Sequence, residues 1–423
     1  MANTNEIKTK QTALSEDWIV VLLGFLIIGT STLLFVAPVP TFSWKDSSEL
    51  VEKVLSGKNL IALAVQFIAT FGIGVLAVLL SGKQISNFIK GFPLVFVLTL
   101  VALILTGNAS VKALNLEAVI FSLAIGLLIG NVVTLPAWFS DALKTELFVK
   151  IGLVLLGTSV IFSDILKAGS LGLIQALVVV VSVWYFAFWI CQRFKLDKEL
   201  SLILSSAVSI CGVSAAIATA GAIKGDTKKL SYVISLVLVT AIPMMLFMPV
   251  IAKQLGLSEE VTGAWLGGSI DTTGAVVASG SLVGEVALKT STIVKFSQNV
   301  LLGFAALAIS VYWTYTKNGD AAAQQEKPTL GLIWQRFPKF VIGFVAASVL
   351  FSFVLSTETI ASVKDCLKSI QTLWFVLAFT CIGLETKFSD LFNGNSQKPL
   401  YAFLIAQTFN IIITLAIAYF LFR

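Results

Sequence analysis

The stretch Ala-Trp-Leu-Gly-Gly-Ser-Ile-Asp-Thr-Thr-Gly-Ala-Val-Val-Ala-Ser-Gly-Ser-Leu-Val-Gly, from Ala264 to Gly284, sets one carboxylate, Asp271, midway along an apolar run of membrane length. A bare carboxylate at mid-bilayer costs roughly 2.5–3.5 kcal/mol even on a lenient insertion scale, so it is retained where it meets a partner, an ion or a proton. Ser269, Thr272 and Thr273 add hydroxyl oxygens beside it, a set that suits a hard cation or a polar substrate. Gly267, Gly268 and Gly274 weaken the helix at the same place. A polar break inside a hydrophobic span is how transporters build a mid-membrane site. The bland alternative is a buried structural partner for a lysine on a neighbouring helix.

Three further segments could contribute chemistry. Ser205-Ser206-Ala-Val-Ser209-Ile-Cys211-Gly212-Val-Ser214-Ala215-Ala216 is dense in small and hydroxyl residues. It reads either as a close helix–helix seam or as a broken helix whose freed amides hold a small anion or ion. The density favours the break. Lys295, Ser297, Gln298 and Asn299 precede a long apolar run, and Lys295 could also snorkel to an interface. Thr380 and Gly383 mark a candidate break in Phe-Val-Leu-Ala-Phe-Thr-Cys-Ile-Gly-Leu-Glu-Thr-Lys, where Glu385 can simply mark the water boundary.

The elements that must position these residues are membrane helices. Of 423 residues 57% are hydrophobic and 12% charged, with mean hydropathy +0.94, whereas soluble domains carry about 25% charged residues. An outer-membrane barrel would alternate polar and apolar residues instead. Thirteen apolar stretches begin near Trp18, Leu60, Phe92, Ala118, Leu147, Leu171, Leu200, Leu230, Val261, Thr292, Phe337, Thr372 and Leu400. The fold class is therefore an all-α polytopic membrane protein with about 11–13 transmembrane helices. Residues 1–16 read as a disordered N-terminus without a cleavable signal, residues 17–117 as the first three spans, and 317–336 as a surface linker.

A net charge of +6 is spread over short loops, which fits topology and anchoring rather than nucleic-acid binding. The positive-inside balance weakly favours a cytoplasmic N-terminus. One conflict stands: Arg193, Lys195 and Lys198 precede the seventh stretch and Lys224, Lys228 and Lys229 follow it, so that stretch is either re-entrant or an exception to the rule. The chain has no histidine, which removes the commonest transition-metal ligand, and its four cysteines show no paired spacing. No cofactor is expected, and no metal beyond a sodium ion at Asp271. No Walker loop, zincin or nucleophile-elbow motif is present, so no enzymatic activity is expected.

Internal repetition is faint. Leu156-Gly157…Phe162-Ser163-Asp164 matches Ile382-Gly383…Phe388-Ser389-Asp390 at an offset of 226, and Ser209-Ile210-Cys211…Ala215 matches Ser269-Ile270-Asp271…Ala275 at an offset of 60. The two offsets cannot belong to one collinear duplication.

Ser209-Ile-Cys211-Gly212 with its following Ala-rich turn resembles the signature of the YeiH family, whose members carry the label sulfate exporter. Ala124-Ile-Gly126-Leu-Leu-Ile-Gly130-Asn131, Ile151-Gly152-Leu-Val-Leu-Leu-Gly157, Gly268-Ser269…Val276-Val277-Ala278, Lys295 and Ile382-Gly383-Leu384 extend the resemblance over roughly residues 118–423 and the first span. The second and third spans look like an addition. The resemblance implies a fold related to the bile-acid symporters and sodium/proton antiporters, with two five-helix inverted repeats (118–253 and 261–423). It implies broken crossing helices at Leu200–Ala222 and Thr372–Thr386. It would gather Ser209, Cys211, Gly212, Ser214, Ser269, Asp271, Thr272, Thr273, Lys295, Gln298, Asn299, Thr380 and Gly383 into one substrate or ion site. Where relatives often have His followed by an acid this chain has Asp271-Thr272, and where they have Arg it has Gln298.

The resulting expectation is a secondary transporter in a bacterial inner membrane. It moves a small anionic solute, sulfate-like by the family label, with coupling to Na⁺ or H⁺ through Asp271. A Na⁺/H⁺ antiporter is the nearest alternative; a channel and an intramembrane enzyme are more distant ones. The partners are the solute or ion and the lipid bilayer, with a homodimer as a compatible assembly.

Overall fold

A computed structural model describes residues 15–113, 118–223, 225–316, 331–387 and 397–423. Fifteen principal helices follow in chain order: α1 (Glu16–Leu33), α2 (Gly57–Leu80), α3 (Ile85–Gly107), α4 (Ala118–Val132), α5 (Thr145–Leu156), α6 (Phe162–Arg193), α7 (Lys198–Ser206), α8 (Val213–Ile223), α9 (Thr227–Gln254), α10 (Glu259–Ser269), α11 (Thr273–Val283), α12 (Glu285–Thr316), α13 (Lys339–Val349), α14 (Thr357–Glu385) and α15 (Lys398–Phe422). No sheet forms among the described residues. Eight of the helices, α1, α2, α3, α6, α9, α12, α14 and α15, are long and apolar enough to cross a membrane. This is a multi-pass membrane protein. On α6 the buried line Val179, Val183 and Ala187 is backed by an outward line of Leu177, Val181, Tyr185 and Trp189. Both lines are apolar, as a helix facing lipid requires.

Packing divides the chain into two units that interleave along the sequence: Met1–Gly126, Val132–Ser159 and Lys339–Glu385 in the first, Leu127–Asn131, Val160–Pro338 and Thr386–Arg423 in the second. In the first unit α14 is the axis. Gly152 of α5 meets the Phe375 ring so closely that a Cβ there would lie 2.5 Å from it, and Gly126 of α4 meets the backbone at Thr380, Gly383 and Leu384. Lys150 pairs with Asp17 at 2.9 Å, and the other Asp17 oxygen accepts from the Lys339 amide at 2.9 Å, which joins α1, α5 and α13. Lipid tails are as apolar as leucine, so close packing and buried polar bonds of this kind hold membrane helices together.

The second unit contains α6, α9, α12, α15 and two short helix pairs, α7–α8 and α10–α11. Each pair is a hairpin that returns to where it started. At the base of the first, Lys229 pairs with Asp197 at 2.8 Å and with Glu199 at 2.9 Å, and the Asp226 amide donates to Glu199. Residues preceding α7 thus touch residues following α8. At the base of the second, the Glu259 carboxylate at the start of α10 accepts from the amides of Val286 and Ala287, just beyond α11, at 3.1 and 3.3 Å. Two half-helices in line would put these ends more than about 30 Å apart at 1.5 Å per residue. The 28 residues of α9 join the two bases, a span of about 42 Å. The hairpins therefore enter from opposite ends of α9 and meet at their tips.

These features correct two expectations. Leu200–Ala222 does not cross; it is re-entrant, which removes the conflict of basic residues on both its flanks. Thr372–Thr386 is not a broken helix but the last half of the continuous 29-residue α14. Its Thr380 hydroxyl donates to the Val376 carbonyl within the helix at 2.9 Å, so the polar residue frees no backbone there. The second break lies at Ile270–Thr272. Of the expected disordered N-terminus, residues 1–14 lie outside the described residues, and α1 begins at Glu16. Residues 317–330 of the expected linker also lie outside them, while Gly331–Arg336 is helical.

Candidate functional site

The first tip forms because the sequence denies α7 a regular end. Ala207–Cys211 is a π-turn, in which the Gly212 amide donates to the Ala207 carbonyl at 3.0 Å. Gly212 then reverses the chain at φ +59°, a conformation that side chains disfavour. A Cβ on Gly212 would lie 2.6 Å from Val237 and 3.0 Å from the Asp271 Cβ. This glycine lets the backbone of one tip approach the carboxylate of the other. The second tip is three residues long: Ile270 (φ −78°, ψ 130°) ends α10, Asp271 follows, and Thr272 caps α11 by accepting from the Ala275 amide at 3.4 Å.

Breaking two helices at one place frees carbonyls on one side and amides on the other. Side chains from α12 and α15 take up the carbonyls, and three of them serve both hairpins at once. Lys295 donates to the carbonyls of Ile210 and Ile270, both at 2.9 Å, and to Gln298 Oε1 at 2.8 Å. Gln298 donates to the carbonyls of Ser209 at 3.0 Å and Gly268 at 3.3 Å. Asn410 donates to those of Val208 and Ser269, both at 3.2 Å, and Gln407 to Ser269 at 2.9 Å. A buried ammonium facing two helix carboxyl ends is favoured by both dipoles. Its three protons are spent on neutral oxygens, so Lys295 does not bond Asp271 directly, although it lies close enough to act on Asp271 and Cys211 electrostatically.

The amide ends face the other way. Val213 is half-buried and Ser214 exposed at the start of α8, and Thr272 and Thr273 are half-buried at the start of α11. Apart from Ala275, which donates to the Thr272 cap, the first-turn amides there have no partner within their own helices. The site therefore has an open side with amides and hydroxyls, suited to a negative group, and a closed side with carbonyls held by Lys295, Gln298 and Asn410. Between them sits Asp271, 1% exposed, whose Oδ2 has no hydrogen-bond partner. Among the described residues no group of three or more His, Cys, Asp or Glu converges as a transition-metal centre would require.

The structure thus brings together Ser209, Cys211, Gly212, Ser214, Ser269, Asp271, Thr272, Thr273, Lys295, Gln298 and Asn299, the last donating to Thr273 Oγ1 at 3.4 Å. Thr380 and Gly383 belong to the first unit. There Thr380 bonds Thr99 at 3.1 Å and Gly383 faces Gly126. Sequence reading missed Gln407, Asn410 and Gln175, which donates to the Ala264 carbonyl at 2.8 Å. A signal existed: Gln407, Asn410 and Thr414 recur on one face of the otherwise apolar α15.

Comparison with known proteins agrees with a membrane family. A family model described as conserved hypothetical protein 698 matches residues 90–402. A UPF0324 membrane protein of Rhodopirellula baltica is 39% identical over 353 residues, 81% of this chain and 64% of the relative. One from Nitratidesulfovibrio vulgaris is 38% identical over 358 residues, 81% of this chain and 60% of the relative. One from Nitrosomonas europaea is 28% identical over 454 aligned positions, 92% of each chain. The chain spans less than two thirds of the length of the first two relatives. No solved structure matches it.

Proposed function

We propose, from the premise that the chain belongs to the conserved hypothetical protein 698 family of UPF0324 membrane proteins, that it is a secondary transporter rather than an enzyme. It moves a small anionic solute across a bacterial inner membrane, with a cation gradient coupled through Asp271. The observation that supports this reading is the meeting of two oppositely entering hairpins on one buried Asp271–Lys295 site. Breaks at mid-membrane expose backbone amides and carbonyls to a solute while the flanking helices keep the bilayer sealed. The amide ends of α8 and α11, with Ser214, Thr272 and Thr273, would hold the anionic group. Opening of one hairpin or the other would admit it from the corresponding side.

The same geometry supports a duplicated fold with inverted halves, in a permuted order. The offset of 60 pairs the two hairpin tips, and the offset of 226 pairs the end of α5 with the end of α14. Helix α6 leads from α5 and packs on α7 of the first hairpin, while α15 follows α14 and packs on α10 of the second. One half is then α5–α6–first hairpin–α9, and the other is α14–α15–second hairpin–α12, with its second part placed earlier in the chain. The two offsets become compatible under that order. Residues Phe388 to Asp390 of the second match lie outside the described residues.

Radiolabelled sulfate, with a panel of other small oxyanions, is the first probe in proteoliposomes with imposed Na⁺ and pH gradients. Gradient-driven accumulation by wild type that Asp271→Asn loses is the expected result. Equal coupling in the variant would remove Asp271 from the mechanism, and gradient-independent flux at channel rates would overturn the transporter reading. Na⁺/H⁺ exchange without solute would instead favour the antiporter reading, for which the proximity of Asp271 and Lys295 is the specific support.

A further inference from the structure

Three buried oxygens around the second tip are left without partners. Asp271 Oδ2, Ser269 Oγ and Gln407 Oε1 have no hydrogen-bond partner, and their residues are 1%, 1% and 3% exposed. All three atoms can accept, and the single proton among them, on Ser269 Oγ, can complete only one of the other two. The N–H donors around them are already spent: Lys295 on Ile210, Ile270 and Gln298, Gln298 on Ser209 and Gly268, Asn410 on Val208 and Ser269, and Gln407 on Ser269 and Met244 Sδ. The Gln407 amide nitrogen donates to the Ser269 carbonyl at 2.9 Å, and the Gln407 side chain is within hydrogen-bonding reach of Asp271. Orphaned buried acceptors are costly, and a native site that holds several together is completed by something positive.

We propose that Asp271 Oδ2, Ser269 Oγ and Gln407 Oε1 ligate a dehydrated monovalent alkali cation of sodium size at the tip of the second hairpin. The set is all oxygen, as a hard cation prefers. It has one carboxylate, where calcium sites assemble several, and the Lys295 ammonium nearby adds positive charge that a divalent ion would have to overcome. A proton on Asp271 would complete one of the three oxygens and leave two. Cation binding takes the Asp271–Lys295 pair from neutral to positive, which draws an anion to the amide ends of α8 and α11. This inference deepens the transporter reading and rests on it for the use of the cation, though not for its binding.

The test is the melting temperature of the purified full chain, titrated with NaCl at ionic strength held constant by choline chloride. A ligand bound only by the native state raises the melting temperature in a saturable way. Ser269→Ala removes an atom that bonds nothing in the protein, so the fold is spared. It should raise the half-saturating sodium concentration about tenfold, the worth of one ligand oxygen. Asp271→Asn should abolish the response, and Ser281→Ala, whose hydroxyl donates to the Val277 carbonyl at 2.8 Å away from the tip, should leave it unchanged. Equal melting in NaCl and choline chloride, as a buried water alone would give, overturns the site; so does a Ser269→Ala titration like that of wild type, even where Asp271→Asn fails to fold. Sodium binding without sodium-driven flux would leave the site standing and remove the transporter reading. Sodium-driven flux with a binding response indifferent to both variants would do the reverse.

Discussion

The two hairpins have the same outline and opposite economies of hydrogen bonding. In the first, Ser205 and Ser209 donate to the carbonyls one turn back, both at 2.7 Å, and the base is closed by the Lys229 pairs with Asp197 and Glu199. In the second, Ser269 Oγ and Asp271 Oδ2 are unsatisfied, and the base rests on the Glu259 carboxylate accepting two amides. Its helices lie on α12 through glycine: Gly263 faces the Ala287 backbone, Gly267 that of Ser291 and Gly280 that of Leu288. Such a surface, largely backbone against backbone, has few side chains to interlock. The first hairpin is thus completed by the protein itself, whereas the second waits for something else to complete it. Similar sequence at the two tips, Ser-Ile-Cys and Ser-Ile-Asp, diverges at the residue that decides this.

Lys295 is where the contrast can be broken most severely, because it holds both tips. Lys295→Met leaves the Ile210 and Ile270 carbonyls without their donor. At about 1–3 kcal/mol for each orphaned buried group, the loss is about 4 kcal/mol. The expected outcome is a fall in melting temperature larger than that of a hairpin-specific substitution, together with faster amide exchange at both tips. Exchange confined to one tip would show that the hairpins are supported separately.

Gly212→Ala tests the first tip alone. Positive φ and the close approach of Val237 and Asp271 both oppose a side chain, for a combined cost of about 3 kcal/mol. Gly284→Ala at the base of the second hairpin is the matched comparison. Its backbone is extended (φ 161°) and a new Cβ would push on the Glu259 carboxylate, which can give way by loosening its bonds to the Val286 and Ala287 amides, so the expected cost is about 1 kcal/mol. Thermal melts of the two variants side by side should differ accordingly. Equal losses would mean that the close approach at Gly212 is not the constraint it looks to be.

Composition gave the membrane class without difficulty, because lipid-facing helices leave no other reading of apolar runs this long. The small and hydroxyl residues of 205–216 and 264–284 likewise announced where the chain bends. What they could not announce was the return path. A re-entrant pair and a broken crossing helix share length, composition and a central break; contacts such as Lys229 with Asp197, far apart in sequence, tell them apart. The basic residues on both flanks of the first hairpin were the available hint. Thr380 and Gly383 misled for a related reason: threonine bonded to its own helix and glycine against a neighbouring backbone look the same in sequence as a break. Gln407 and Asn410 went unnoticed because two amides in a long apolar helix read as incidental until the carbonyls they serve are in view.

The smallest effect expected is at the base of the first hairpin. Burial works to raise the Asp197 pKa, but the hydrogen bonds from Lys229 and the Leu200 amide, together with the Lys229 charge, outweigh burial and hold the carboxyl below its ordinary value of 3.8. A carboxyl depressed in the folded state contributes its full stabilisation above the unfolded value and loses it as pH falls through the folded one. The side chains of Asp197 and Lys229 are 50% and 30% exposed, so the pair is worth about 1 kcal/mol or less and weakens with salt. Lys229→Met should therefore lower the melting temperature slightly at neutral pH. Its deficit relative to wild type should shrink below pH 3.8 as Asp197 protonates, and shrink also at high salt. A deficit unchanged by acid and salt would mean that Lys229 closes the hairpin through the packing of its stem rather than its charge, and the two bases would then differ less than their ion pairs suggest.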